Sequence, residues 1–294
     1  MHVLRAASAG FCLGVSLALR RLDKELASFM AHKGKRGADR RLITLGPIIH
    51  NPLVMQGYTE QGVLCESDPE GVGSGDRVVI RAHGIPREVE EALKASGAGV
   101  VDATCPKVKR AQTAIGRERD KGGILLLFGE KEHPEVRGLL SYAGPDALVF
   151  GSLEELERLP LDRAAPYFLA AQTTQERSIL LQGRERLSEM LQRNVRCLDT
   201  ICDATRNRQQ EAINLAENVD IMVIVGGLNS GNTRRLAEVS RSRGVPAIHV
   251  EQISDLSADM LDMLRAAKSA GLTAGASTPE EHINAMQDFL EKLV

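Results

Sequence analysis

The chain has no tryptophan, three tyrosines and six phenylalanines among its 294 residues. Its cores must therefore be aliphatic, and the 43% hydrophobic content is ample for that. No apolar run reaches 18 residues, so no membrane-spanning helix and no membrane partner are expected. The opening Met1-His2-Val3-Leu4-Arg5 carries no signal-peptide hydrophobic region. A formal net charge of −2 leaves no basic excess, which argues against a nucleic-acid partner or a membrane surface. The Gly-rich loops at Gly10 and at Gly226-Gly227 match neither the dinucleotide nor the P-loop pattern, which weakens nicotinamide and ATP readings. Five cysteines are an odd number in a chain too long to need disulfide staples, and none are spaced Cys-x-x-Cys. A reducing, cytoplasmic setting follows, with the cysteines kept as thiols or metal ligands.

What is present is a repeat. Val101-Asp102-Ala103-Thr104-Cys105 returns 97 residues later as Leu198-Asp199-Thr200-Ile201-Cys202. At the same offset Gln112 returns as Gln209, the apolar run 124–128 as 221–225, Gly129 as Gly226, and Arg137 as Arg234. A looser third copy has Cys12, an apolar strand over Leu42–Leu45, Gly46, and His50 four residues on. Each copy reads as strand, Cys, helix, apolar strand ending in Gly, polar loop, second helix. Alternating strands and helices predict parallel sheets with functional groups at the strand C-termini.

In order, strands are expected over Val3–Ala7, Leu42–Leu45, Val78–Ala82, Ile124–Phe128 and Tyr167–Ala171. Helices are expected from the Gly10–Gly14 turn to about Ala31, over Arg87–Ala95 and Lys107–Asp120, and from Pro279 to Leu293. Lys33–Arg41 reads as a solvated basic loop, and Asn51-Pro52 as an N-cap with Pro at the first helical position.

Cys12, Cys105 and Cys202 hold matching repeat positions, whereas Cys65 and Cys197 read as small buried hydrophobes. Three thiolates brought together suit an open tetrahedral zinc or a [4Fe–4S] cube with one iron left without a protein ligand. Two further sets recur: His50, His133 and Ser230 in one loop, and His83, Thr173 and Ser277 after the later strand of each unit. Helix N-termini with hydroxyl and imidazole donors fit an anion such as phosphate. Ser277 or Thr278 with Glu280 or Glu281 would also make an ordinary capping box. Glu135 is the only carboxylate in the aligned loops, and beside a bound phosphate its natural role is a general acid.

These residues resemble the IspH/LytB family of 4-hydroxy-3-methylbut-2-enyl diphosphate reductases. Nine stretches carry the likeness along nearly the whole chain: those around Cys12, His50, His83, Cys105, His133-Pro-Glu135, Gln-Thr173-Thr, Cys202-Asp-Ala-Thr, Ser230-Gly231-Asn232 and Ser277-Thr-Pro. The resemblance implies an α/β fold of three similar lobes, with small, mostly parallel sheets in pseudo-threefold arrangement around a central iron–sulfur cluster. The expected lobes span 13–104, 105–201 and 202–280, the last completed by residues 1–12, with 281–294 as the C-terminal helix end. It implies a [4Fe–4S] cluster on Cys12, Cys105 and Cys202, with one iron lacking a protein ligand. It also implies an allylic diphosphate substrate and an external one-electron donor such as ferredoxin or flavodoxin. His50, His83, Ser230, Asn232 and Ser277 would hold the diphosphate, His133 and Thr173 would line the site, and Glu135 would supply the proton. Many relatives have a second Ser after Ser230 where this chain has Gly231, which leaves only a backbone N–H there. The competing readings are a three-Cys Lewis-acid dehydratase or quinolinate-synthase-like enzyme, which needs no electron donor, and an iron–sulfur carrier, which has no use for a phosphate pocket.

Overall fold

A computed structural model describes residues 1–32 and 40–293. Residues 33–39 of the basic loop expected over Lys33–Arg41 lie outside the described residues. The chain opens with β1 (His2–Arg5) and α1 (Leu13–His32). Next come β2 (Leu42–Leu45), α2 (Pro52–Glu60), β3 (Val63–Glu66), β4 (Arg77–Ile80), α3 (Arg87–Ala95) and β5 (Gly99–Asp102). The middle stretch holds α4 (Pro106–Arg119), β6 (Ile124–Phe128), α5 (Pro134–Leu140), β7 (Leu148–Phe150), α6 (Leu153–Glu157), β8 (Tyr167–Ala171), α7 (Arg177–Leu191) and β9 (Arg196–Cys197). The last holds α8 (Asp203–Ala216), β10 (Ile221–Val225), α9 (Gly231–Arg241), β11 (Ala247–Val250), α10 (Ala258–Ala266), β12 (Ser269–Ala274) and α11 (Glu280–Lys292).

The alternation does produce parallel sheets, three of four strands each. Their orders are β3-β2-β4-β5, β7-β6-β8-β9 and β11-β10-β12-β1, one winding pattern used three times. In each, the chain steps outward from the first strand and then crosses back to the other side. The loops after β2 and β4, β6 and β8, and β10 and β12 therefore flank a reversal of strand order, where open α/β sheets form their ligand crevices. Those loops carry His50 and His83, His133 and Thr173, and Ser230 and Ser277. The remaining flank strand in each sheet (β5, β9 or β1) leads to a repeat cysteine. The strand preceding Cys12 thus belongs to the last sheet, with His2 opposite Ser269 and Arg5 opposite Leu272.

The chain forms two compact units: Met1–Ser16, His50–Gln56 and Asp203–Val294 in one, Leu17–Ile49 and Gly57–Cys202 in the other. The first unit has one sheet with helices on both faces. Ile221, Val223 and Val225 of β10 pack with Ile283, Met286 and Leu290 of α11, while Met222 and Ile224 meet Ala212, Leu236 and Ala237 of α8 and α9. The second unit repeats the design: Leu126 and Phe128 face Leu180 and Leu187 of α7, and Leu125 and Leu127 face Ile115 and Leu139 of α4 and α5. Successive side chains of a strand point to opposite faces, so strands buried on both faces must be apolar throughout, as β6 and β10 are. Each fully buried Leu or Ile here contributes about 1.5–3 kcal/mol. Phe128 and Phe150 stack at 5.4 Å, a rare aromatic pair in an otherwise aliphatic interior.

Two expectations need correction. Cys65 is exposed, not buried, because it lies on the edge strand β3, where only Val63 turns inward. Arg41 is not merely solvated. It donates to Asp76 through Nε at 3.0 Å and Nη2 at 2.5 Å, joining the turns that enter β2 and β4. The Arg41 hydrogen bonds, joined by the Gly73 N–H, hold the Asp76 carboxyl down at about 2 despite its burial. Arg41 is exposed, so solvent screens much of the attraction. The stability that remains is present above the ordinary aspartate pKa near 4 and is lost as pH falls through about 2. Asp76→Asn is expected to lower the urea midpoint at pH 7, with the difference from the parent chain shrinking below pH 3.

Candidate functional site

Within the second unit, six of the residues singled out from sequence form one connected set. His133 is the N-cap of α5, and its Nδ1 accepts the Glu135 N–H at 3.1 Å. That bond leaves the neutral ring its proton on Nε2. The ring meets His83 edge-on, with centroids 5.4 Å apart and planes at 82°. Glu135 sits in the first turn of α5 with 1% of its surface exposed. Its carboxyl takes two hydrogen bonds from one residue: the Thr173 N–H at 2.6 Å and the Thr173 hydroxyl at 3.0 Å. The Thr173 carbonyl in turn accepts the N–H of Cys202 at 2.9 Å. Cys105 donates its N–H at 2.8 Å to Ala82, the residue before His83, and is itself the residue from which α4 departs.

Burial dominates the electrostatics of Glu135. Removal from water pushes its carboxyl up to about 7, against the two Thr173 hydrogen bonds that favour the charged form. A proton held at neutral pH and shared with a hydroxyl is what a general acid requires. The folded chain keeps this proton between the ordinary glutamate value near 4.5 and about 7, while the unfolded chain releases it. Stability therefore falls as pH rises through that window, by about 3 kcal/mol in all. Glu135→Gln cannot titrate. Its urea midpoint is expected to match the parent at pH 4.5 and exceed it at pH 8; equal midpoints at pH 8 would show that burial does not raise this carboxyl.

The first unit gathers the rest. Cys12 donates its N–H at 3.2 Å to Ala276, the neighbour of Ser277, and its Sγ accepts the Val15 N–H at 3.5 Å as α1 begins. The Ser277 carbonyl accepts Asn51 Nδ2 at 2.8 Å, and Asn51 Oδ1 caps α2 through Val54 N–H at 3.1 Å. The cap is therefore Asn51, and His50 stands one residue ahead of it, whereas His133 and Ser230 are themselves caps. The His50 carbonyl lies against Gly227: a Cβ there would come within 2.6 Å of it. This close approach admits only glycine. Ser230 caps α9 by accepting the Thr233 N–H at 3.4 Å, and Gly231 and Asn232 form the first turn. Asn232 is 5% exposed, and neither its Oδ1 nor its Nδ2 has a hydrogen-bond partner among the described residues. A buried amide left unsatisfied costs about 1–3 kcal/mol, which a ligand supplying both donor and acceptor sites would recover.

The capping box expected at Ser277 and Thr278 does not form. Pro279 occupies the N-cap of α11, the Thr278 hydroxyl donates to the Val225 carbonyl at 2.9 Å, and Glu280 pairs with Arg5. Thr278 is buried against β10, where that carbonyl is the available acceptor. Sequence reading identified Asn51 as a cap but missed its bond to Ser277. It also missed Arg208 and Glu211, although both break the repeat, standing where the second copy has Ala111 and Ala114. Cys65 and Cys197 join neither set, and none of the five cysteines is in a disulfide among the described residues. Among the described residues no helix is long and apolar enough to cross a membrane.

A sequence model described as LytB protein matches residues 3–291. The 4-hydroxy-3-methylbut-2-enyl diphosphate reductase of Oleidesulfovibrio alaskensis is 57% identical over 293 residues, covering 100% of both chains. A solved (E)-4-hydroxy-3-methyl-but-2-enyl diphosphate reductase, described as the terminal enzyme of the non-mevalonate pathway, is 36% identical with a TM-score of 0.66, covering 99% of this chain and 100% of that one. The Plasmodium falciparum E-1-hydroxy-2-methyl-but-2-enyl-4-diphosphate reductase shares the fold, with a TM-score of 0.89 at 24% identity, covering 98% of this chain and 87% of that one. Matched over nearly its whole length, and sharing more than half its residues with a relative from end to end, the chain belongs to the LytB family of 4-hydroxy-3-methylbut-2-enyl diphosphate reductases.

Proposed function

We propose that this chain removes the hydroxyl of 4-hydroxy-3-methylbut-2-enyl diphosphate, taking up two electrons and two protons, to give water with isopentenyl and dimethylallyl diphosphates. The reading rests above all on one observation: the buried Glu135 carboxyl bonded to both the N–H and the hydroxyl of Thr173, whose carbonyl holds the N–H of Cys202. A proton donor is thereby tied through one residue to a candidate metal ligand.

Cys12, Cys105 and Cys202 would hold a [4Fe–4S] cluster with one iron free of protein ligands. Their chemistry fits the group: cysteines outside any disulfide, each at the start of a helix, with the Val15 N–H directed at the Cys12 sulfur. When bound, the cluster would supply electrons singly and act as a Lewis acid toward the substrate hydroxyl. The chain's own part is binding, orientation and the proton. Asn232 would donate from its Nδ2 to a diphosphate oxygen, together with Ser230, Ser277, the Gly231 N–H, His50 and His83. Thr173 would hand the Glu135 proton toward the leaving hydroxyl, with its own hydroxyl as the bridge, and His133 holds the first turn of α5 in place beside it. Electrons would come from a one-electron carrier of the ferredoxin or flavodoxin class, in the cytoplasm.

Anaerobic iron and sulfide analysis, with visible spectra before and after adding the hydroxy diphosphate, tests the reading. A brown protein whose spectrum shifts with the diphosphate, and which turns it over only with a reductant, supports it. Turnover without reductant would select a Lewis-acid dehydratase, and a cluster indifferent to the diphosphate an iron–sulfur carrier.

A further inference from the structure

We propose that Arg208 is a positioning residue for Cys12: its guanidinium, with the carboxylate of Glu211 on the same face of α8, holds residues 6–12 in the shape that presents the Cys12 sulfur to its iron. The proposal rests on reading Cys12 as a cluster ligand.

The approach to Cys12 is longer than the approach to Cys105. Cys105 stands three residues beyond the end of β5, and Cys12 stands seven beyond the end of β1. Both cysteines donate their N–H to the loop after a later strand, Cys105 to Ala82 at 2.8 Å and Cys12 to Ala276 at 3.2 Å, and within the shorter arm Thr104 N–H also bonds Asp102 at 2.9 Å. A longer arm has more conformations to lose, and something must restrict it. Here α8 does so. Glu211 accepts the N–H groups of Ala7 at 2.6 Å and Ser8 at 3.0 Å, and also the Ser8 hydroxyl. Three residues earlier on the helix, Arg208 Nη2 donates at 2.6 Å to the Gly10 carbonyl, two residues before Cys12. Gly10 has φ +104°, in the region open to glycine, so the chain turns sharply at the point where Arg208 grips it.

The two side chains also support each other. Burial would raise the Glu211 carboxyl, but the bonds from Ser8 and Ala7, with the positive charge of Arg208, hold it below the usual carboxylate range. Arg208 itself is 5% exposed. A buried guanidinium is costly to place, and Arg208 directs its Nη2 at the Gly10 carbonyl. The repeat departs from itself at these two positions, which in the second copy are Ala111 and Ala114, and it does so in the copy whose helix must hold a longer cysteine arm.

The test is the rate at which the anaerobic, cluster-loaded protein gives up iron to a chelator. Loss of a group that supports a metal ligand typically weakens retention about 10–100-fold, and Arg208→Gln is expected to release iron faster by that factor. Arg208→Lys, which keeps the charge and one donor, is expected to fall between the two. Leu264→Ala, a core deletion in the same unit, is expected to lower the unfolding temperature without speeding release. If Arg208→Gln does not fold, Glu211→Gln and Ser8→Ala carry the test from the other end of the same loop, and they too should release iron faster. Release within twofold of the parent in a folded Arg208→Gln, or in both loop variants, overturns the proposal, as does equally fast release from Leu264→Ala. A parent chain that assembles no cluster would refute the cluster reading itself, a different result from one that holds its cluster without Arg208.

Discussion

Glu135→Gln is expected to lower turnover by about 10²–10⁴-fold while leaving iron content and diphosphate affinity near those of the parent. The geometry makes this substitution clean. Gln keeps an oxygen for the Thr173 N–H, and the Thr173 hydroxyl can rotate to accept from the new amide, so neither bond to Thr173 need be lost. What disappears is the proton. An interaction made only in the transition state lowers kcat without moving KM, and the expected fall corresponds to about 3–5.5 kcal/mol of barrier. Steady-state assays with a strong reductant, alongside iron analysis, separate this outcome from loss of the cluster. The parent's kcat should also decline above pH 7, because burial pushes the carboxyl up to about 7 and only the protonated acid donates. A fully active glutamine variant would remove Glu135 from the mechanism.

Replacing Cys105 or Cys202 with serine is expected to cost more. Iron should fall from about four per chain to a small fraction of that, with loss of the visible absorbance and at least a thousandfold drop in turnover. Serine preserves shape but stays a neutral alcohol at pH 7, and a hard oxygen is a poor exchange for the soft thiolate that iron–sulfur sites use. The backbone bonds from Cys105 to Ala82 and from Cys202 to Thr173 survive the exchange, so the fold should hold, which far-UV circular dichroism checks. Cys65→Ser and Cys197→Ser serve as controls: both thiols stand outside the connected set, and both variants should keep full iron and activity. Full iron in Cys105→Ser or Cys202→Ser would dismiss those ligands.

The sequence carried the architecture because the signals involved are local. Two-residue alternation, helical spacing and the offset of 97 residues are readable from neighbours alone, and they located β6, β8, β10 and the start of α4 to within a residue. Positions such as Ser230 and His133 were legible because a helix N-terminus leaves N–H groups that a nearby side chain must satisfy. The resemblance to a known family supplied the roles. Local patterns failed where a residue's setting is decided by its place in the sheet: Cys65 looks like a core thiol until β3 proves to be an edge strand.

By itself, then, the sequence determined three strand–helix units, the loops that end their strands, and a short roster of cysteines, histidines and hydroxyls at matching places. Only the tertiary structure decided what those groups experience. Thr173 reaches Glu135 across 38 residues, Arg208 reaches Gly10 across 198, and Asn51 reaches Ser277 across 226. Such pairs are made by the crossovers that wind each sheet and by the packing that expels water from Glu135. A proton's affinity for a carboxyl depends on that expulsion, which no stretch of neighbouring residues encodes.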